Sequence, residues 1–241
     1  MIDRLAHPFE SLHGGGIAVA CALDGSMAPD EQHGMFAGDT RVLSTYRLTV
    51  GGVGLDALSR TREGHGTAVW HFQNRVVRGD DGEIPAGTIC VRLRRRVDGA
   101  MHDDIEVTSF LPRPTRVALI LHLDADFADI FDVRNRRLPP RPAVRRKFTT
   151  DGLVLSYRYR EFSRALHVEI SAPPPKVAFV GSRLTFDLEL EHGTPWHCCV
   201  EARPEIEGRV APFAGDAHQN EAEAPSPVRV TGAPALVGPF E

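Results

Sequence analysis

The sequence predicts an all-β chain, a large antiparallel β-sandwich of the supersandwich kind with few or no helices. Three observations carry that prediction. Apolar and polar residues alternate in many short runs, helical spacing is scarce, and one pair of runs matches its charges across a hairpin. In Arg41–Val50 the residues Val42, Tyr46, Leu48 and Val50 are apolar, while Arg41, Thr45, Arg47 and Thr49 are polar. Gly51-Gly52 marks the turn after them. One dry face and one wet face is the antiparallel pattern.

The hairpin spans Ile89–Ser109. Ile89, Val91, Leu93 and Val97 share one face of its first strand, and Arg92, Arg94 and Arg96 share the other. On the second strand Met101, Ile105 and Val107 are apolar, whereas His102, Asp104 and Glu106 face away. A one-residue slip would set arginines against apolar partners, so the loop must be odd in length. With Asp98-Gly99-Ala100 as that loop, Arg96 faces His102, Arg94 faces Asp104 and Arg92 faces Glu106. The same register sets Leu93 against Ile105 and Arg95 against Asp103. Each opposite-charge pair is worth only about 0.2–1 kcal/mol, so the charges select register rather than supply stability. The charged stripe reads as a solvated sheet face.

Further along, Val117, Leu119, Leu121 and Leu123 line one face of another strand. Asp124–Arg134 comes next, and the Pro- and Arg-rich stretch from Asn135 to Lys147 reads as a loop. Leu153, Leu155, Tyr157 and Tyr159 alternate with Val154, Ser156, Arg158 and Arg160. Leu184, Phe186, Leu188 and Leu190 do the same among polar neighbours, as do Trp196, Cys198, Val200 and Ala202. From Pro204 the pattern dissolves into Pro, Gly, Ala and acidic residues, with one short strand at Val228–Val230. The expected organisation is a β-sandwich over residues 1–205 and a tail or interdomain linker over residues 206–241.

Composition narrows function. The chain has 241 residues, 42% hydrophobic and 25% charged, which suits a folded domain whose core needs neither disulfide nor metal. A net charge of -4 argues against a nucleic-acid binder. No apolar run reaches the roughly 20 residues of a membrane helix, and Met1–Pro8 lacks the apolar stretch of a signal peptide. The four cysteines, Cys21, Cys90, Cys198 and Cys199, form no Cys-x-x-Cys pair, as expected of reduced thiols in a cytoplasmic protein. No Gly-x-Ser-x-Gly, P-loop or His-Glu-x-x-His occurs.

Two segments carry a family resemblance. The first is Gly34-Met35-Phe36-Ala37-Gly38-Asp39-Thr40-Arg41-Val42-Leu43-Ser44, and the second is Asp124-Ala125-Asp126-Phe127-Ala128-Asp129-Ile130-Phe131-Asp132-Val133-Arg134. Together they resemble the N-terminal domain of bacterial and archaeal-type glycogen debranching enzymes (amylo-α-1,6-glucosidase-like), over roughly residues 10–205. Met35 and Asp132 stand where Leu and Glu are usual. The resemblance implies a sandwich-like domain that precedes an (α/α) barrel, and that barrel carries the hydrolytic acid and base. The stretch beyond the sandwich is too short for a barrel, so this chain is not expected to be catalytic alone. The expected role is a non-catalytic accessory domain that braces the barrel and shapes its substrate groove. The alternative is an autonomous α-glucan-binding module. The implied partners are the helical barrel, in the same or a neighbouring chain, and α-glucan; no cofactor is implied.

The candidate residues come from these segments and from the aromatic and charged runs. Asp39, Thr40, Arg41, Asp126, Asp129 and Arg134 are candidates for a structural clasp, an interdomain face or the substrate groove, since buried carboxylates and arginines require partners. Trp70 and Trp196 could stack on sugar rings, although large aromatics in alternating runs are usually core. Asp124, Asp126, Asp129 and Asp132 are the best acidic cluster, but their spacing does not match a calcium loop. Arg136, Arg137, Arg141, Arg145, Arg146 and Lys147 read as a solvated basic loop. His197 and Cys199 share a face, and two ligands alone do not make a zinc site.

Overall fold

A computed structural model describes residues 9–79, 82–139, 143–149, 151–171 and 177–212. Its first strands are β1 (Phe9–Gly14), β2 (Ile17–Ala22), β3 (Gly34–Ala37), β4 (Thr40–Leu43), β5 (Thr45–Val50) and β6 (Val53–Arg62). Then come β7 (Thr67–Asn74), β8 (Val77–Gly79), β9 (Gly82–Ile84), β10 (Ile89–Val97), β11 (Met101–Ser109) and β12 (Thr115–Asp124). A two-residue strand β13 (Ala128–Asp129) leads into a short helix, α1 (Ile130–Arg134), the only one among the described residues. The rest are β14 (Arg145–Phe148), β15 (Gly152–Tyr159), β16 (Phe162–Ser171), β17 (Val177–Val180), β18 (Arg183–Leu190), β19 (Pro195–Ile206) and β20 (Arg209–Val210).

Every ladder between these strands is antiparallel, as the alternation requires. A 13-stranded sheet runs β14-β15-β16-β19-β11-β10-β7-β6-β5-β12-β18-β17, with β20 attached to β19. A five-stranded sheet runs β1-β2-β3-β4-β13. Leu12, Val19, Met35 and Leu43 of the small sheet and Trp70, Leu93, Leu119, Leu166 and Val200 of the large one belong to one buried core. The expected all-β, antiparallel class therefore holds.

The hairpin register is the expected one, from Ile89↔Ser109 to Val97↔Met101, with Arg94↔Asp104 and Arg96↔His102 within it. Its faces add one feature and correct another. Arg95 shares the core face with Leu93 and Val97, and it is fully buried with Asp103. The opposite stripe is half-buried rather than solvated: Arg92, Arg94, Arg96, Asp104 and Glu106 are intermediate, and His102 is buried. The reason is position. β11 is an inner strand between β10 and β19, so long polar side chains on three adjacent strands cover one another.

Two segment readings also change. The stretch expected as a loop to Lys147 ends in a strand, because β14 pairs with β15 from Arg145↔Ser156 to Phe148↔Leu153. The last proline of that stretch is Pro142, so the backbone donors beyond it are free for a ladder. Strand structure also passes the boundary expected at residue 205, since β19 turns back into β20 through Ile206↔Arg209. The strand expected at Val228–Val230, and the tail from 213 to 241, lie outside the described residues.

Candidate functional site

At each of the two signature segments the chain passes from one sheet to the other. In the large sheet β5 pairs with β12 as far as Asp124↔Thr45. In the small sheet β4 pairs with β13 through Ala128↔Arg41 and Asp129↔Thr40. The chain therefore crosses at Ser44 and again at Ala125–Phe127, as a paired ribbon turning one corner. Ser44 N–H donates to Asp124 O at 2.9 Å and ties the crossings together.

Arg41 fills that corner and is fully buried. Its Nε donates to Asp126 Oδ1 at 3.2 Å, and its Nη2 donates to Asp126 Oδ2, a two-point fork. The remaining N–H groups reach backbone carbonyls: Glu31 and His33 at 3.0 Å each, and Pro29 at 2.9 Å. Asp126 also takes the backbone N–H of Ala128 at 3.1 Å, the local turn expected of an aspartate. Between them Phe127 adopts a left-handed φ of 49° and stacks, buried, on Tyr157 at 5.9 Å. Gly34 has φ +148°, and a Cβ there would stand 2.5 Å from Arg41 Cδ and 2.7 Å from Leu43 O. The glycine that opens the first signature thus leaves room for Arg41 within it.

The other candidates sit outside the clasp. Asp39 is exposed and its carbonyl accepts from Ile130 N–H at 2.8 Å. Asp129 is exposed and caps α1 by accepting from Phe131 N–H at 2.8 Å. Together with Thr40, Tyr159, Phe162 and Arg164 they line an open groove of about 340 Å³, floored by Phe127 and Tyr157. Tyr159 is 50% exposed, and the Arg164 guanidinium lies 4.3 Å from the centre of the Phe162 ring. Aromatic faces flanked by carboxylates and a guanidinium offer stacking and hydrogen bonding to a polyhydroxylated ligand. Arg134 is exposed at the end of α1 and lines a neighbouring hollow of about 230 Å³ with Phe9, Phe36, Ile130 and Val133. Phe131 on α1 is 62% exposed.

The remaining candidates do not gather. Trp70 is buried in the core with its indole N–H donated to Leu23 O at 2.9 Å, so it offers no ring face to a sugar. Trp196 is half-buried and meets Phe186 edge-on at 5.7 Å. The acidic cluster is divided: Asp124 takes Arg146 at 2.7 Å on both oxygens, Asp126 takes Arg41, and Asp129 caps the helix. The basic loop reading fails at Arg146 for the same reason.

Sequence reasoning missed two features. The groove aromatics Tyr159 and Phe162 flank a turn, and nothing local brings them to Asp39. On the half-buried hairpin face, burial works against charge on His102, yet hydrogen bonds to Asp104, Cys199 and Glu201 outweigh it and raise its pKa to about 11. Burial also works against charge on Asp104, but His102 prevails and holds that carboxyl at about 2. Such values suit a stable ion cluster, not a general acid.

A family model described as the N-terminal domain of (some) glycogen debranching enzymes matches residues 12–201. No curated protein matches the chain. Among solved structures, one assigned as a kojibiose phosphorylase from the human microbiome is similar at TM-score 0.47 and 11% identity, over 82% of this chain and 30% of that one. Another, assigned as an aldose 1-epimerase from Escherichia coli K12, is similar at TM-score 0.43 and 7% identity, over 83% of this chain and 99% of that one. The chain thus spans less than a third of the phosphorylase structure.

Proposed function

The chain belongs to the family of N-terminal domains of some glycogen debranching enzymes, and from that premise we propose a non-catalytic accessory domain of a glucan-acting glycoside hydrolase. It braces a helical catalytic barrel and lends one wall to the barrel's substrate groove. The observation that carries this reading is the corner. The two signature segments join through the buried Arg41–Asp126 fork and present Asp39 and Asp129 outward, beside the exposed apolar side chains of α1. A corner tied in this way suits a docking and positioning surface. The apolar patch of Phe9, Ile130 and Phe131 is the docking face for the barrel, and α1 links it directly to the aromatic groove. Four free thiols accord with a reducing, cytoplasmic setting. No helix among the described residues is long and apolar enough to cross a membrane.

Hydrolysis would need two carboxyl groups about 5–10 Å apart on either side of a glycosidic bond, one of them held protonated. Asp104 and Glu201 depart from ordinary carboxyl behaviour in the opposite direction. Hydrogen bonding to His102 lowers Glu201, and Asp104 is held at about 2. On the accessory-domain reading, the purified chain should release no glucose from a glycogen limit dextrin. Release above the heat-killed control, lost on Asp126→Asn or Asp129→Asn, would overturn the accessory reading. The exposed Tyr159 and Phe162 also favour direct α-glucan binding. Retardation in a glycogen-containing native gel, lost in Tyr159→Ala with Phe162→Ala, is the expected result. Unretarded migration would leave the docking role without the glucan contact.

A further inference from the structure

The half-buried polar face brings three metal-ligand side chains together from two neighbouring strands, with His197 beside them. The β11–β19 register sets His102 beside Glu201, Asp104 beside Cys199 and Glu106 beside His197. Same-face neighbours on paired strands stand about 4.5–5.5 Å apart at Cβ, so their tips can converge. They converge on Asp104 Oδ1, which lies 3.2 Å from His102 Nε2, 3.3 Å from Cys199 Sγ and 3.5 Å from His197 Nε2. Cys199 Sγ and His197 Nε2 are 3.8 Å apart, and the donor atoms of His102, Asp104 and Cys199 all lie within 4.8 Å of one another. A tetrahedral ion with bonds of ~2.0–2.3 Å spaces its ligands about 3.3–3.8 Å apart.

We propose that His102, Asp104 and Cys199 form a site for a zinc-class divalent cation that pins β11 to β19, with solvent in the fourth position and His197 beside it. The donor set selects the class. Imidazole and thiolate favour zinc and its neighbours, whereas magnesium and calcium take oxygen shells. Charge balances as well: the Asp104 carboxylate and the Cys199 thiolate neutralise the dication, and the protons that Cys199 and His102 carry in the metal-free chain leave to solvent. The outer contacts hold the ligands in place. Arg96 Nη2 sits 3.2 Å from Asp104 Oδ2, leaving Oδ1 for the ion. Glu201 Oε2 lies 3.6 Å from His102 Nδ1, where it receives that N–H when Nε2 binds metal. Ligands drawn from both β11 and β19 would make the ion a cross-link between the two strands. The site lies on a different face from the signature corner and does not depend on the accessory-domain reading.

Cobalt(II) is the probe. Loaded into the intact, metal-free chain, it should bind once per chain with tetrahedral visible bands and a thiolate-to-cobalt charge-transfer band, and zinc should displace it. Cys199→Ser abolishes the charge-transfer band while Cys90→Ser retains it. Glu201→Gln keeps the spectrum but weakens zinc by about 10–100-fold. Circular dichroism checks that each variant is folded; if Cys199→Ser is not, His102→Gln must lose the tetrahedral bands instead. A folded wild-type chain that takes up no stoichiometric cobalt or zinc overturns the proposal, as does a charge-transfer band that survives Cys199→Ser.

Discussion

Arg95 and Arg41 are both fully buried, and each grips an aspartate with two nitrogens, yet the two clasps are built differently. Arg95 meets Asp103 inside one hairpin, with Nε–Oδ1 at 2.9 Å and Nη2–Oδ2 at 2.8 Å. Neither side chain has any exposure. Arg95 Nη1 donates to Gly25 O at 2.9 Å, and its guanidinium lies 4.7 Å from the Tyr46 ring centre and 5.6 Å from that of Trp70. Arg41 instead joins crossings 85 residues apart in sequence. Its aspartate keeps 26% exposure, and three backbone carbonyls share the guanidinium. Each clasp also requires a glycine: a Cβ at Gly25 would come 3.2 Å from the Trp70 ring, and one at Gly34 would strike Arg41 itself.

The difference shows what a buried charge relies on. Burial disfavours the Arg95 cation, but Asp103 more than offsets this and raises its pKa. Neither side chain reaches solvent, so Asp103 depends on Arg95 for its charge balance, and Arg95 on Asp103 with Gly25 O and two ring faces. At the corner, Asp126 can hydrate if its partner is lost, and Arg41 keeps carbonyl acceptors if Asp126 is lost. The sealed pair should fail hard when broken, and the corner pair should fail softly.

The largest expected loss is at the sealed pair. Arg95→Ala strands Asp103 in the core and should cost about 3–5 kcal/mol in chemical denaturation, while Arg95→Met combined with Asp103→Leu should recover most of it. Arg41→Ala should cost less, about 2–3 kcal/mol, because Asp126 regains water. Equal losses at the two arginines would break the comparison. Gly34→Ala comes next, at about 1–3 kcal/mol by overpacking. A cost that shrinks in the Arg41→Ala background would show that the glycine serves the arginine, whereas an unchanged cost would assign it to the Leu43 carbonyl. The smallest effect concerns Cys21, which is buried beside Arg95. Burial pushes its thiol from the ordinary 9.0 up to about 11, against the pull of Arg95. A raised folded-state pKa means that its contribution is intact below pH 9.0 and is lost as pH rises toward about 11. Cys21→Ala should flatten the decline in unfolding free energy across that window, and an unaltered decline would place the alkaline titration elsewhere.

Local rules determined a good part of this molecule from the sequence alone. Residue parity along a strand decides which side chains share a face, and an odd turn decides a hairpin register. Both act over a few residues, so Arg94↔Asp104 and Arg95↔Asp103 were legible. The same parity put Arg95 with Leu93 and Val97, and it could have been read as a buried arginine with its partner opposite. The signature segments were legible as sequence, and the need of Arg41 for a carboxylate came from the cost of burying charge. Only the tertiary structure decided which strands became neighbours. β19 lies beside β11, and β4 and β5 turn a corner together with β13 and β12, through pairings about 70–100 residues apart. Such contacts are chosen by the packing of the whole core and carry no local sequence mark. The groove at Tyr159 and Phe162 and the quartet around Asp104 exist only because of those neighbours. Their side chains come from strands whose alternation, read one at a time, says no more than that each has an outward face.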